Sequence, residues 1–197
     1  MPVWEWILIA VIILLIVALV AVMVQLAMRR KKTERLRATF GPEYQRAVSE
    51  TGAKRTAEDE LVARQEKREK LDIVPLSAQA RDRYADRWQA VQIAFVDRPA
   101  SAVRDADELV TAVLRERGYP IDDFDQRAAD ISVDHPDVVE NYRSAHRIHL
   151  SQREREIGTE EQRQAFVHYR ALFDKLLATD GQPETHRGTD SSKEAHA

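Results

Sequence analysis

The sequence predicts an all-α protein: a single N-terminal transmembrane helix, then a charged spacer helix and a small helical bundle. Three observations lead there. Residues 7–28 are almost wholly aliphatic and are followed at once by Arg29-Arg30-Lys31-Lys32. Beyond them, apolar side chains recur every three or four positions, the period of one helix face. No stretch of useful length alternates apolar and polar residues as a half-buried strand would, and no internal repeat occurs.

The apolar segment, within residues 1–28, comes first. About 20 apolar residues at a 1.5 Å rise cross a bilayer's hydrocarbon core. Gln25 is the only strongly polar side chain inside the run. Trp4 and Trp6 lie at the other end, where amphipathic rings favour the headgroup region. A cleaved signal peptide needs a basic start, an apolar core of about 7–15 residues and a small-residue cleavage site. Here Glu5 and no base precedes a longer core, which reads as an uncleaved anchor. The excess of bases after the span then places the C-terminal domain in the cytoplasm and the N-terminus outside the cell membrane. The absence of cysteine fits a reducing compartment.

Arg29, Arg30, Lys31 and Lys32 read as a topology signal resting against anionic lipid headgroups. All 30 Lys and Arg lie after Met28, but so do all but one of the 33 acidic residues. That balance argues against nucleic acid as a partner, which demands a basic face tracking phosphates.

Residues 29–72 form a basic juxtamembrane segment and a charged spacer. Phe40-Gly41-Pro42 interrupts any helix leaving the membrane, because proline lacks an N–H and restricts the residue before it. A short helix can start at Pro42 and reach Val48. Residues 58–71 are helix-forming, with only Leu61, Val62 and Leu71 as apolar anchors. Such a helix is a solvated spacer holding the domain off the bilayer, or one strand of a weak coiled coil, leaving self-association open.

Residues 73–178 form the bundle. Val74 before Pro75 reads as extended connector, and Ser77 as the N-cap of the next helix. Tyr84, Trp88, Val91 and Phe95 make its apolar face. Asp97-Arg98-Pro99 ends that helix and opens another, with a stripe of Val103, Ala106, Val110, Val113 and Leu114. Gly118 suits the left-handed C′ position, with Pro120 beyond it. Phe124, Ala128 and Ile131 share a face on a shorter helix. After Ser132-Val133-Asp134-His135, Pro136 fits the first turn of a helix whose face is Val138 or Val139, Tyr142, Ala145 and His149. Thr159 and Gln162 match a capping box before a last helix bearing Phe166, Tyr169, Phe173 and Leu176. Residues 179–197 are polar and charged; they cannot repay their ordering entropy and are expected to be disordered.

Several local sequences repeat a pattern seen elsewhere. They are Phe40-Gly41-Pro42-Glu43-Tyr44, Leu71-Asp72-Ile73, Arg83-Tyr84-Ala85-Asp86-Arg87-Trp88 and Phe95-Val96-Asp97. Arg117-Gly118-Tyr119-Pro120, Gln126-Arg127-Ala128-Ala129-Asp130, Ser132-Val133-Asp134-His135-Pro136 and His168-Tyr169-Arg170-Ala171-Leu172-Phe173 complete the set. On these residues the chain, over residues 40–177, resembles a family of uncharacterised bacterial single-span membrane proteins of high-GC, actinobacterial type. The resemblance implies a helical soluble region and no activity. Members are often labelled secreted, a label with which the charge asymmetry here disagrees.

Three constellations bear on chemistry. Asp134-His135 is an acid/base pair in an interhelical loop, or else Asp134 caps the helix that Pro136 begins. His146 and His149 share a helix face, but zinc wants three or four ligands in recognisable spacings; His149 also continues an apolar stripe, so a hydrogen-bonded core histidine is favoured. Arg127 and Arg143 with Asp130 and Asp134 form a buried polar network, or a pocket for phosphate or carboxylate. No Walker, Gly-x-Ser-x-Gly or catalytic-cysteine motif occurs. The expectation is a noncatalytic module, without cofactor or metal, that binds a protein partner at the inner face of the membrane. The alternative is a small-ligand or enzymatic site gathering Arg127, Asp134, His135, Arg143 and His146.

Overall fold

The computed structural model describes residues 3–178. Among them are eight helices and no strand: α1 (Val3–Phe40), α2 (Pro42–Thr51), α3 (Lys54–Glu69), α4 (Ala78–Asp97), α5 (Pro99–Arg117), α6 (Phe124–Asp134), α7 (Val139–Glu154) and α8 (Thr159–Leu177). The tail expected to be disordered, residues 179–197, lies outside the described residues, as does the side chain of Trp6.

α1 contains one apolar stretch long enough to cross a membrane, and that stretch is unburied by the rest of the chain. The helix does not stop there. It continues through the four bases to Phe40, where Gly41 and Pro42 end it and Pro42 occupies the first turn of α2.

One face of the last turns of α1 is buried. Leu36 and Phe40 pack with Tyr44 and Ala47 of α2 and with Ala57 and Leu61 of α3 into a small apolar cluster. α3 therefore differs from the solvated spacer read from its sequence. Ala57 and Leu61 are a narrow stripe, one turn apart, that becomes a packing surface once Phe40 and Tyr44 face it.

The larger core lies among the helices that follow. α5 contributes Val103, Ala106, Val110, Val113 and Leu114, and α8 contributes Phe166, Tyr169, Leu172, Phe173 and Leu176, all buried. Trp88 of α4 lies between two α8 rings, with centroids 5.1 Å from Phe166 and 4.5 Å from Phe173. α7 adds Val139, Tyr142 and Ala145. These are the predicted stripes, because a 3.6-residue period leaves one face apolar and that face must be covered.

Helix ends follow the local chemistry in most places. Ser77 accepts a hydrogen bond from the Ala80 N–H (3.1 Å) and starts α4. Asp123 does the same for Gln126 (2.7 Å) at α6. α5 ends at Gly118, φ 98°, where the Tyr119 N–H closes back onto the Leu114 carbonyl (3.0 Å). A Cβ there would sit 2.4 Å from the Asp72 carbonyl oxygen, so the connector before α4 can pass only over a glycine. The connector is pinned by the Val74 N–H to the Arg117 carbonyl (2.9 Å).

Two predicted caps are corrected. α8 begins after Gly158, which has no capping side chain, and Thr159 is already helical, so no capping box forms. Asp134 does not cap α7: it is the last residue of α6, and α7 begins at Val139 after a turn through Pro136. Its carboxylate is taken by an arginine and a tyrosine instead.

Candidate functional site

The polar residues singled out in the sequence fall into three clusters, each inside a helix contact. In the first, Glu43 of α2 is almost wholly buried and accepts two hydrogen bonds from Arg143 of α7, Nη1 to Oε2 and Nη2 to Oε1, both 2.7 Å. Arg64 of α3 donates a third, 3.0 Å to Oε1. Arg46 lies 3.9 Å away and also reaches Glu50 and Glu140. A planar guanidinium matched edge-on to a carboxylate is the strongest common charge-assisted geometry. It joins α2 to α7 across 100 residues of sequence.

In the second, Asp134 accepts from Arg68 Nε and from the Tyr119 hydroxyl, both at 2.5 Å on one oxygen. Burial raises the Tyr119 phenol well above its ordinary range, and the Asp134 carboxylate beside it adds to the shift, so the phenol stays a donor. His135 is buried at the α6 C-terminus, and the Val138 and Val139 N–H groups both reach its carbonyl at 3.2 Å. Asp130, one turn back, is fully buried. Burial pushes its carboxyl up, against the Gln126 amide donating to it at 2.8 Å.

The third cluster lies between α5, α6, α7 and α8. Arg127 is buried; its Nε donates to the Tyr142 hydroxyl and its Nη1 to the Ile121 carbonyl, each at 2.7 Å. The guanidinium carbon also sits 5.6 Å from the Phe124 ring and 5.7 Å from the Tyr142 ring. Such aromatic faces attract a desolvated cation. Tyr142 is pushed up to about 12, chiefly by burial, so it donates or accepts as a neutral phenol. Nearby, Asp107 accepts from Tyr169 (2.8 Å), with His146 Nδ1 at 3.9 Å. His146 stacks on Phe124 at 3.6 Å, and the His149 ring lies 6.2 Å from it.

Two titrations in this cluster act in the same direction. Burial would raise the Asp107 carboxyl, but the hydrogen bond from Tyr169 and the nearby His146 and His149 imidazoles outweigh it and hold the carboxyl below its ordinary 3.8. Burial lowers His149 below its ordinary 6.5, opposed by Asp107. The fold favours neutral His149, so below pH 6.5 the unfolded chain takes up that proton first. Stability is therefore full above pH 6.5 and is lost as pH falls from there through the lowered folded value. Asp107 repeats this below pH 3.8. Thermal unfolding of the full chain in detergent between pH 8 and 5 should show the midpoint falling with pH. His149→Gln should flatten that fall, and an equal fall in both proteins would remove His149 as its source.

The five residues expected to share a ligand site do not converge. Arg143 is committed to Glu43, Asp134 to Arg68 and Tyr119, Arg127 to Tyr142, and His146 to Phe124 and Asp107; His135 is buried. Among the described residues no group of three or more His, Cys, Asp or Glu is placed to hold a metal ion. Residues the sequence reading did not single out complete each cluster: Glu43, Arg64, Arg68, Asp107 and Tyr119. Of these, Glu43 and Tyr119 had a local signal, each lying at a Gly/Pro break.

Arg29, Arg30, Lys31 and Lys32 are all exposed on α1 where the apolar stretch ends, with Lys32 Nζ 2.9 Å from Asp59. The chain matches no family model, no curated protein and no solved structure. The fold and these contacts define an all-helical protein with one apolar N-terminal helix.

Proposed function

We propose that this chain is a noncatalytic, single-span membrane protein whose helical bundle lies at the cytoplasmic face and binds another protein. The observation that carries the reading is the unbroken α1. It runs from the apolar stretch into the packed Leu36 and Phe40, so whatever holds that stretch also fixes the position of the domain. A flexible linker would let the domain roam; a helix clamped at both ends sets it at one height and orientation. The bases that follow the stretch set the cytoplasmic orientation.

The noncatalytic part rests on how the polar groups are used. The histidine, aspartate and arginine side chains that catalysis would need are engaged with one another or buried between helices. They hold α2, α3, α6 and α7 together instead of facing a shared cleft. The apolar face of α3 is likewise used inside the chain, which moves the partner surface elsewhere. α4 offers one: Ile93 and Val96, one turn apart, are 66% and 82% exposed, with Phe95 half-buried beside them. Burying large apolar side chains in a partner's pocket is the usual source of interface affinity.

Because the chain has no cysteine, a single Asp86→Cys substitution on the exposed side of α4 gives a clean topology probe. A membrane-impermeant maleimide should label it only after permeabilisation. Labelling in intact cells would place the domain outside and overturn the cytoplasmic reading. For the partner, chemical crosslinking in native membranes should give a discrete heteromeric product that Ile93→Glu/Val96→Glu loses while remaining folded. Identical products from both proteins would rule out the α4 surface.

A further inference from the structure

We propose that the groove between α3 and the part of α1 just past the apolar stretch binds the headgroup of one anionic phospholipid from the adjoining leaflet. The inference rests on the membrane-anchored reading above. The groove encloses about 570 Å3, within the range of ligand-binding clefts. Its walls combine two chemistries. Met28, Leu36 and Val62 supply apolar surface, and Lys31, Lys32 and Arg35 supply positive charge.

Lys31 and Arg35 are four residues apart, so they stand one above the other on the same face of α1. Both are exposed, and neither forms an ion pair among the described residues. Lys32 differs, being held by Asp59 at 2.9 Å. Two unneutralised cations are thus fixed side by side on a rigid helix, at the edge of an apolar surface. A second groove between α1 and α3, sharing Lys32 with the first, is lined by charge of both signs, with Glu58 and Asp59 among the bases. It encloses about 450 Å3; Lys54 there is 3.7 Å from Glu58, and Arg29 and Arg55 form no ion pair among the described residues.

The height of the groove selects the ligand. At 1.5 Å per residue, Lys31 lies about 4.5 Å and Arg35 about 10 Å beyond Met28 along the helix axis. The headgroup layer on each side of a bilayer is about 5–8 Å thick. Side chains on a helix lean towards its N-terminus, so both cations tilt back towards the bilayer and their long stems reach the phosphate level. Met28 is itself 58% exposed at the lip, where it can lie along the start of an acyl chain. A free anion would use the cations and leave the apolar wall wet. A phospholipid covers both.

The test uses the full chain in a nonionic detergent, titrated with phosphatidylglycerol or with phosphatidylcholine of the same acyl chains, and read by native mass spectrometry. A one-lipid adduct should form with phosphatidylglycerol in clear preference to phosphatidylcholine. Lys31→Ala/Arg35→Ala should weaken that adduct roughly 30-fold, the factor carried by about two bases at an anionic surface. Arg153→Ala, at the end of α7, should leave it unchanged, and circular dichroism should show all the proteins equally helical. Equal binding of the two lipids, or an unweakened adduct in the double variant, overturns the proposal. So does displacement of the adduct by an equal concentration of inorganic phosphate, which would make the groove an anion site. Alkaline carbonate extraction of native membranes separates the two readings. Release of the protein sinks the anchor, whereas retention without lipid preference sinks the groove alone.

Discussion

Replacing Glu43 with alanine is expected to cost about 3–5 kcal/mol of stability, the range for removing one partner of a buried ion pair. The Glu43 side chain is 2% exposed, and Arg64 and Arg143 that meet it are 15% and 12% exposed. Without the carboxylate, two largely dehydrated guanidinium groups lose their shared buried partner, and only the more exposed Glu60 beside Arg64 and Glu140, 3.7 Å from Arg143, remain to them. The pair itself contributes little net stability, since bringing three charges out of water offsets most of their attraction. The cost arises from leaving the arginines behind. Urea unfolding of the full chain in detergent, followed by circular dichroism, measures it. Glu43→Ala/Arg143→Ala should cost less than the two single changes added together, because the second substitution removes one orphaned charge. A Glu43→Ala cost below about 1 kcal/mol, the level of an exposed pair, would mean that the cluster is solvated. Hydrogen exchange should quicken first in α2 and α3, because Glu43 ties them to α7.

Trp88→Ala is expected to cost about 3–5 kcal/mol through a cavity in the main core. The side chain is 4% exposed and stacks between Phe166 and Phe173, so deleting it strips both α8 rings of their contact. Trp88→Phe should recover part of the loss, since a ring remains between them. The measurement is convenient because the other two tryptophans, Trp4 and Trp6, lie at the chain's N-terminus. A near-neutral result for Trp88→Ala would move its face of α4 to the surface and extend the exposed apolar patch of Ile93 and Val96. Trp88 and Glu43 belong to different clusters, so their effects should add. A large departure from additivity would show that the two sites are energetically coupled.

The resulting picture is a domain with two joints of different chemistry. An apolar joint couples α4 to α8 through stacked rings. A charged joint couples the end of α1, by way of α2 and α3, to α6 and α7 through Glu43 and Asp134. Charged joints give orientation more than net stability.

Much of the fold was legible because it depends on near neighbours. The stripes on α5 and α8, the Ser77 cap and the Gly118 turn each follow from residues within a turn or two of one another. Where local signals compete, they misled. Thr159 and Gln162 have capping-box spacing, yet Gly158 is the N-cap. Asp134 sits well for a cap, but Arg68 and Tyr119 offer its carboxylate stronger donors. α3 looked solvated because its own sequence contains only a narrow apolar stripe; the complement is on α1 and α2.

The candidate site shows the same division. Arg127, Asp134, Arg143 and His146 are half-buried or buried polar residues. Their gathering into one pocket was an assumption about space that spacing along the chain could not support. By itself, the sequence determined the helical class, the apolar α1 stretch with its trailing bases, and the faces that are buried, since helix periodicity and capping are local properties. Only the tertiary structure decided that Glu43 meets Arg143, that Asp134 meets Arg68, and that α3 closes a groove against Lys31 and Arg35. Ionic partners are chosen by proximity in space, and a charge carries no mark in the sequence of the distant charge that will neutralise it.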